Sequence, residues 1–279
     1  MAGVLLVAPA VAGGLAAFGA SRASRRLTRP LDRVASAARD VGESNLAARI
    51  PEVSSDAELR ALVRLLNDML ARIQAAFDTQ RRFVADASHE LRSPLSNLRG
   101  TIEVALRHPR SAADYQETLG IALTEIERLA RLVQGLLTLS RADAGRLTME
   151  RRPADLVDVA ARAIDVHAAR AAAREVRLHL DAAAPVPVEG DADRLREVVD
   201  NLLDNALRVA PQGSLVRLGA RCEDGRCVLE VQDAGPGLTD EEQAHIFEPF
   251  ARGSPAGGGG GGLGLAIARA VAEAHGGWL

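Results

Sequence analysis

The sequence predicts a multidomain chain. An N-terminal membrane helix leads into a helical coiled coil, then an antiparallel helical hairpin that dimerises as a bundle, then an α+β domain. Three observations predict this order. Residues 2–20 carry no charge. Apolar residues follow 3-4-3-4 spacing through Leu59, Leu62, Leu66, Met69 and Ile73, the seam of a coiled coil. After Gly145 the helical period gives way to strands that alternate apolar and polar residues, mixed with helices.

Composition narrows the chemistry. With 47% hydrophobic and 25% charged residues among 279, the chain is neither disordered nor collagen-like. Aromatics are only 3% and alanines number 52, so closely packed Ala- and Leu-rich helices are expected rather than an aromatic core. All 34 basic residues are arginine. The absence of lysine excludes a Walker-A lysine, a protein-kinase-type strand lysine and Schiff-base chemistry. A net charge of −3 offers no basic surface for nucleic acid. Cys222 and Cys227 are too few for a zinc cluster or disulfide framework, and they read as two half-buried thiols on a hairpin.

The uncharged stretch is about long enough to cross a bilayer. Arg22, Arg25, Arg26 and Arg29 follow at once, which places that end in the cytoplasm. Met1-Ala2-Gly3 lacks the basic start of a signal peptide. The stretch is Ala- and Gly-rich and holds Pro9, so a buried soluble helix is the alternative reading. A helix follows with Leu31, Val34, Ala38 and Val41 on one face, ended by Gly42. Ile50-Pro51 lies in an extended connector, and Ser55-Asp56-Ala57-Glu58 reads as a capping box for the next helix.

That seam runs on into a long helix in which Val84, Ala87, Leu91, Leu98, Ile102 and Ala105 share a face. A loop at His108-Pro109-Arg110 precedes a second helix with Leu119, Ala122, Ile126, Leu129, Val133 and Leu136 on heptad spacing. Two such hairpins form a four-helix bundle. Farther on, strands are expected over 174–180 and 215–233, turning at Glu223-Asp224-Gly225-Arg226. Helices are expected near 155–172, 191–210 and 263–275, and Gly257 to Gly262 is a six-glycine run.

Four constellations carry chemistry. His89 points away from the bundle core, and the adjacent Glu90 can accept a bond from one ring nitrogen and leave the other nucleophilic. Pro94 removes the amide that would have bonded the Glu90 carbonyl, loosening the helix one turn away. Glu197, Asn201, Asn205 and Arg208 form one polar stripe, opposite a buried face of Leu195, Val198, Leu202, Ala206 and Val209. Carboxamide oxygens suit Mg²⁺ that bridges phosphates. Asp233 ends a strand where Gly235 and Gly237 let backbone approach a ring. Gly260-Gly261-Gly262-Leu263-Gly264 leads into a helix N-terminus, an arrangement that cradles phosphate without lysine. Ile246 to Phe250 is apolar enough to anchor a lid.

Residues after the uncharged stretch resemble a HAMP domain at Pro30, Arg49-Ile50-Pro51, Glu58 and Asn67-Asp68-Met69-Leu70. With the later motifs, the chain from about residue 20 onward closely resembles bacterial sensor histidine kinases of the HisKA type. His89 to Pro94 matches the H box, Asn201 to Arg208 the N box and Asp233 to Gly237 the G1 box. Phe247 to Phe250 matches the F box and Gly260 to Leu265 the G2 box.

The resemblance implies four segments: a membrane helix at 1–20, a HAMP linker at 21–77, a dimerisation and phosphotransfer domain at 78–146, and a Bergerat-type α/β-sandwich ATP-binding domain at 150–279. It implies a homodimer anchored in the plasma membrane with its catalytic part in the cytoplasm. His89, assisted by Glu90, would take a phosphoryl group from Mg-ATP and pass it to an aspartate of a response regulator receiver domain. Asn205 would hold Mg²⁺ with Asn201 close by, and Asp233 would bind the adenine amine. Arg208, Gly235, Gly237, Gly260, Gly262, Leu263 and Gly264 would line the nucleotide site.

The chain departs from the family where Arg208 replaces a lysine, Val209 an aromatic, Ser93 a Thr or Asn, and Gly261 a threonine. The ending at Trp278-Leu279, just after His275-Gly276-Gly277, implies a truncated ATP-binding domain that lacks its last two strands. Two other classes compete: an ATP-driven clamp of the gyrase/Hsp90 type and a non-catalytic dimeric scaffold. The clamp needs a water-activating glutamate where this chain has Asn201, and an amide takes no proton.

Overall fold

The computed structural model describes residues 47–51, 57–251 and 262–279. The expected membrane stretch, the helix ended by Gly42, the capping residues Ser55 and Asp56, and Gly260 all lie outside the described residues. Among the described residues no helix is long and apolar enough to cross a membrane. The chain forms two compact units, Met1–Val84 and Ala85–Leu279.

The first unit holds the start of helix α1 (Ala57–Leu106), a run of helix formers with no Gly or Pro before Pro94. Ile50 of the connector is buried against it. Val63 and Leu70 close that small core, with Leu59 and Leu66 half-buried beside them. Asn67 fastens the connector from both sides: its Oδ1 accepts the Ile50 N–H at 2.9 Å, and its Nδ2 donates to the Ile50 carbonyl at 3.0 Å. Arg49 adds a bond to Gln74 Oε1 at 2.8 Å. Leu62, Met69 and Ile73 of the expected seam are exposed in the single chain. The connector claims the neighbouring stripe instead.

In the second unit α1 continues unbroken through Pro94, whose ring is fully buried. Helix α2 (Ala112–Asp143) starts with a reciprocal cap, Ser111 Oγ accepting the Asp114 N–H while the Asp114 carboxylate accepts the Ser111 N–H. The loop between the helices falls at the expected Pro109. The expected faces are only partly covered, since Val84, Ile102, Leu119, Ile126 and Val133 are exposed. Instead α2 buries Leu132, Gly135, Thr138 and Leu139.

The α/β part comprises β1 (Arg152–Asp155), α3 (Leu156–Ala173), β2 (Arg177–Asp181), β3 (Pro187–Gly190), α4 (Ala192–Val209), β4 (Leu215–Glu223), β5 (Arg226–Gln232), α5 (Asp240–His245) and α6 (Gly264–Ala274). A three-stranded sheet has order β2-β4-β5, the first pair parallel and the second an antiparallel hairpin. β1 and β3 make a separate antiparallel pair. The core is the alternate, inward set of β4, Val216 and Leu218, packed on Val159, Ala160 and Ala163 of α3 and Val199, Leu203 and Leu207 of α4. The β4–β5 turn is the expected one: Asp224 and Gly225 both take positive φ, 49° and 75°, the type I′ geometry that suits strand twist.

Two expectations need correcting. The buried face of α4 is Val198, Val199, Leu203, Ala206 and Leu207, with Leu195, Leu202 and Val209 only half-buried. α4 packs on α3 on one side and α6 on another, so its apolar stripe is broader than one seam. Cys222 and Cys227 are exposed rather than half-buried, because they stand near the hairpin tip, past the strand residues that face the core.

Candidate nucleotide and phosphoacceptor sites

His89 is solvent-exposed on α1, and Glu90 beside it is half-buried. A side chain that leaves the helix opposite Ala87, which is buried, has nowhere to go but water. This nitrogen is presented for an approaching reagent.

The remaining candidates converge on α4. Asp191 caps that helix, its Oδ1 accepting the N–H groups of Asp193 and Arg194 and its Oδ2 the N–H of Glu150. Burial pushes the Asp191 carboxyl up, but those three backbone bonds and the Arg194 charge outweigh it and hold the group below the usual carboxylate range. The Asp191 N–H donates to His275 Nε2 at 3.0 Å. His275 Nδ1 lies 2.8 Å from the Val271 carbonyl, which only accepts, so the ring proton sits on Nδ1. This imidazole ties the end of α6 to the start of α4.

Along the polar stripe, Glu197 pairs with Arg194 at 2.7 Å, and Asn201 Nδ2 donates to the Glu197 carbonyl at 2.9 Å. That bond turns Asn201 Oδ1 toward the first turn of α6, where a Cβ on Gly264 would stand 2.9 Å from it. Arg208 donates to Asn205 Oδ1 at 2.5 Å, leaving one lone pair of that oxygen for a cation. Asp233 Oδ1 accepts the Gly235 N–H at 2.7 Å, folding the turn after β5. A Cβ on Gly235 would meet Val209 Cγ2 at 2.8 Å, so glycine lets this turn lie on the end of α4. Gly237 has φ of +75° in the same turn.

Gly262 lies against Phe250. The Phe250 N–H donates to the Gly262 carbonyl at 2.8 Å, and any Cβ at Gly262 (φ +64°) would strike Phe250 Cα at 2.7 Å. Leu263 is buried and no side chain caps α6, so its first amides are open to an anion. The Arg269 guanidinium stands 5.8 Å over the Phe247 ring, tying the stretch after α5 to α6. Asn201, Asn205 and Arg208 thus lie on α4, the Asp233–Gly237 turn reaches its end through Gly235, and Gly264 after Gly262 and Leu263 meets Asn201, while His89 and Glu90 are carried on α1.

Sequence reasoning missed three supports. His167 is buried on α3, its Nε2 3.3 Å from Asp200 Oδ1 and its Nδ1 3.5 Å from Asp204 Oδ1. Arg170 also binds Asp204. These carboxylates directly precede Asn201 and Asn205, so the network sets how α4 is turned. The apolar flanks of His167 in the sequence were its only sign. Gly135 of α2 is the second: a Cβ there would lie 2.8 Å from Ile267 Cδ1 and 3.5 Å from Leu263 Cδ1. His275 as a cap is the third.

Residues 190–279 match the histidine kinase-, DNA gyrase B- and HSP90-like ATPases, residues 79–145 the His Kinase A (phospho-acceptor) domain, and residues 22–75 the HAMP domain. The sensor protein CutS of Streptomyces coelicolor is 43% identical over 272 residues, which covers 94% of this chain and 64% of CutS. The histidine kinase AdeS of Acinetobacter baumannii has a similar structure, with a TM-score of 0.54 at 26% identity over 67% of this chain and 86% of that one. The histidine kinase ThkA in complex with the response regulator TrrA shares the fold, with a TM-score of 0.55 at 20% identity over 82% of this chain and 62% of that one. The chain spans less than two thirds of the CutS length. With three domain types in this order and relatives of one kind, the chain belongs to the two-component sensor histidine kinases.

Proposed function

We propose that this chain is the kinase part of a dimeric sensor that phosphorylates His89 from Mg-ATP and passes the phosphoryl group to an aspartate of a response regulator. One observation carries the reading: three separate motifs meet at α4, the helix's own Asn201–Arg208 stripe, the turn at Gly235 and the start of α6 at Gly264, while an exposed histidine flanked by a carboxylate stands on α1. The donor set fits the ligand. The carboxamide oxygen of Asn205 is a hard ligand for Mg²⁺ with Asn201 close by, the Asp233 carboxylate accepts an exocyclic amine, and Gly262–Gly264 opens backbone amides to phosphate.

Mg-ATP would supply an electrophilic phosphoryl group when bound. Asn205 would hold the metal, Arg208 orients Asn205, and Asn201 keeps the first turn of α6 in place. His89 would attack the γ-phosphorus through one ring nitrogen, the bond to ADP breaking as the N–P bond forms, and Glu90 would accept the proton of the other ring nitrogen. With an amide at Asn201 in place of a carboxylate, water is left unactivated and transfer goes to protein. The gyrase/Hsp90 clamp and the inert scaffold are not favoured.

The exposed apolar faces of α1 and α2 support a homodimer, whose second copy covers Ile102, Leu119, Ile126 and Val133. The ThkA–TrrA complex supports a receiver domain as partner. We assign residues 1–20 to a membrane helix, 21–77 to the HAMP linker, 78–146 to the phosphotransfer domain and 150–279 to the ATP-binding domain, with the catalytic part cytoplasmic.

The test is incubation with γ-labelled ATP and Mg²⁺. Label that is lost in acid and kept in base marks a phosphoramidate. His89→Gln abolishes it while nucleotide still binds; labelling that persists in this variant removes His89 from the mechanism. Asn205→Asp loses Mg²⁺-dependent transfer. Wild-type rates with unchanged Mg²⁺ dependence overturn that assignment.

A further inference from the structure

We propose that Cys222 and Cys227 form a reversible dithiol–disulfide site at the tip of the β4–β5 hairpin, closed by low-molecular-weight disulfides. The two residues are direct cross-strand partners, and their Sγ atoms lie 3.3 Å apart. The two-residue turn makes Glu223 and Arg226 the hydrogen-bonded pair next to it, so Cys222 and Cys227 occupy the following non-hydrogen-bonded position. Such pairs place Cα atoms about 4.5 Å apart, inside the range a disulfide bridges, so the bond closes without moving backbone.

Three features keep the thiols opposed. Arg221 pairs with Glu223 on its own strand at 2.5 Å and with Glu230 across the hairpin at 2.7 Å, which holds the register. The Arg226 guanidinium stands 5.0 Å over the Trp278 ring and anchors the tip. Both cysteines are exposed, so a soluble oxidant reaches them. The hydrogen bond with Cys222, burial and the Cys222 charge together push the Cys227 thiol up.

The step balances through a small disulfide RSSR. The Cys222 thiolate attacks one sulfur and releases RS⁻, giving a mixed disulfide. Cys227 loses its proton, attacks Cys222 Sγ and releases the second RS⁻. The protein gives up two electrons and two protons, and RSSR becomes two RSH.

The full chain is equilibrated with oxidised and reduced glutathione, alkylated, and measured intact and after trypsin. Cleavage after Arg226 separates the cysteines, so an internal bond is read as linked peptides from a protein of single-chain mass that has lost two hydrogens. Cys222→Ser and Cys227→Ser carry at most one glutathione and no link. The equilibrium favours the bond in the folded chain over the urea-unfolded chain by about tenfold or more. Equal equilibria in the two states, two alkylated thiols throughout, or a bond joining two chains each overturn the proposal.

Discussion

A single methyl group separates a working contact from a blocked one at Gly264, where Asn201 Oδ1 occupies the space a Cβ would need. Gly264→Ala should therefore displace the Asn201 amide and slow phosphoryl transfer by about tenfold or more, since small misplacements at a reacting site are costly. Single-turnover labelling checks this, with melting of the α1–α2 helices as the control that stays put. Glycine at 235, 237 and 264 was legible from the sequence because turn and phosphate chemistry demand it at known offsets. The partners of His167 were not. Periodicity tells which side of a helix is buried, never which carboxylates wait there, and Asp200 and Asp204 reach His167 only because α3 and α4 pack side by side.

Elements differ in how plainly their residues declare them. The long helices and the β4–β5 hairpin were legible, each from a sustained period and a turn that favours Asp-Gly. The β1 and β3 strands were not: each has four residues and holds a proline, Pro153 or Pro187, which argues against a strand away from an edge. One helix cap and one connector clamp yield predictions. Asp191 titrates below its unfolded value of about 3.9, so its contribution is complete above that pH and is lost as pH falls through the folded pKa. Asp191→Asn keeps the cap oxygen and removes the charge. The melting difference between wild type and this variant should hold from pH 7 to about 5 and shrink below about 4. A difference unchanged near pH 2 would count against the assignment. In the first unit, Asn67→Ala removes both bonds to Ile50, each worth about 0.5–1.5 kcal/mol, and the Ile50 amide should exchange with solvent about tenfold faster.

For the whole molecule, the succession of long helix, helical hairpin and α/β part followed from changes of period along the chain. How α6 meets α2 did not, because a glycine in a helix advertises only a missing side chain. Gly135 is the point of contact, and Ile267 and Leu263 fill the gap it leaves. Gly135→Val should lift α6 from this seat and weaken nucleotide binding several-fold, read by fluorescent-nucleotide titration; unchanged affinity would show that the seat is idle. The seat also has a thermodynamic reading. Two aliphatic side chains supply at most about 1.5–3 kcal/mol each, so burial at this seat sets a ceiling of roughly 10²–10⁴ on the equilibrium constant between seated and unseated arrangements. Leu263 adjoins Gly264, which makes the two ends of that equilibrium one linked system. If a ligand at Gly264 prefers the seated arrangement, reciprocity fixes the rest: whatever pries α2 from α6 would loosen that ligand by some factor, and the ligand would resist the prying by the same factor.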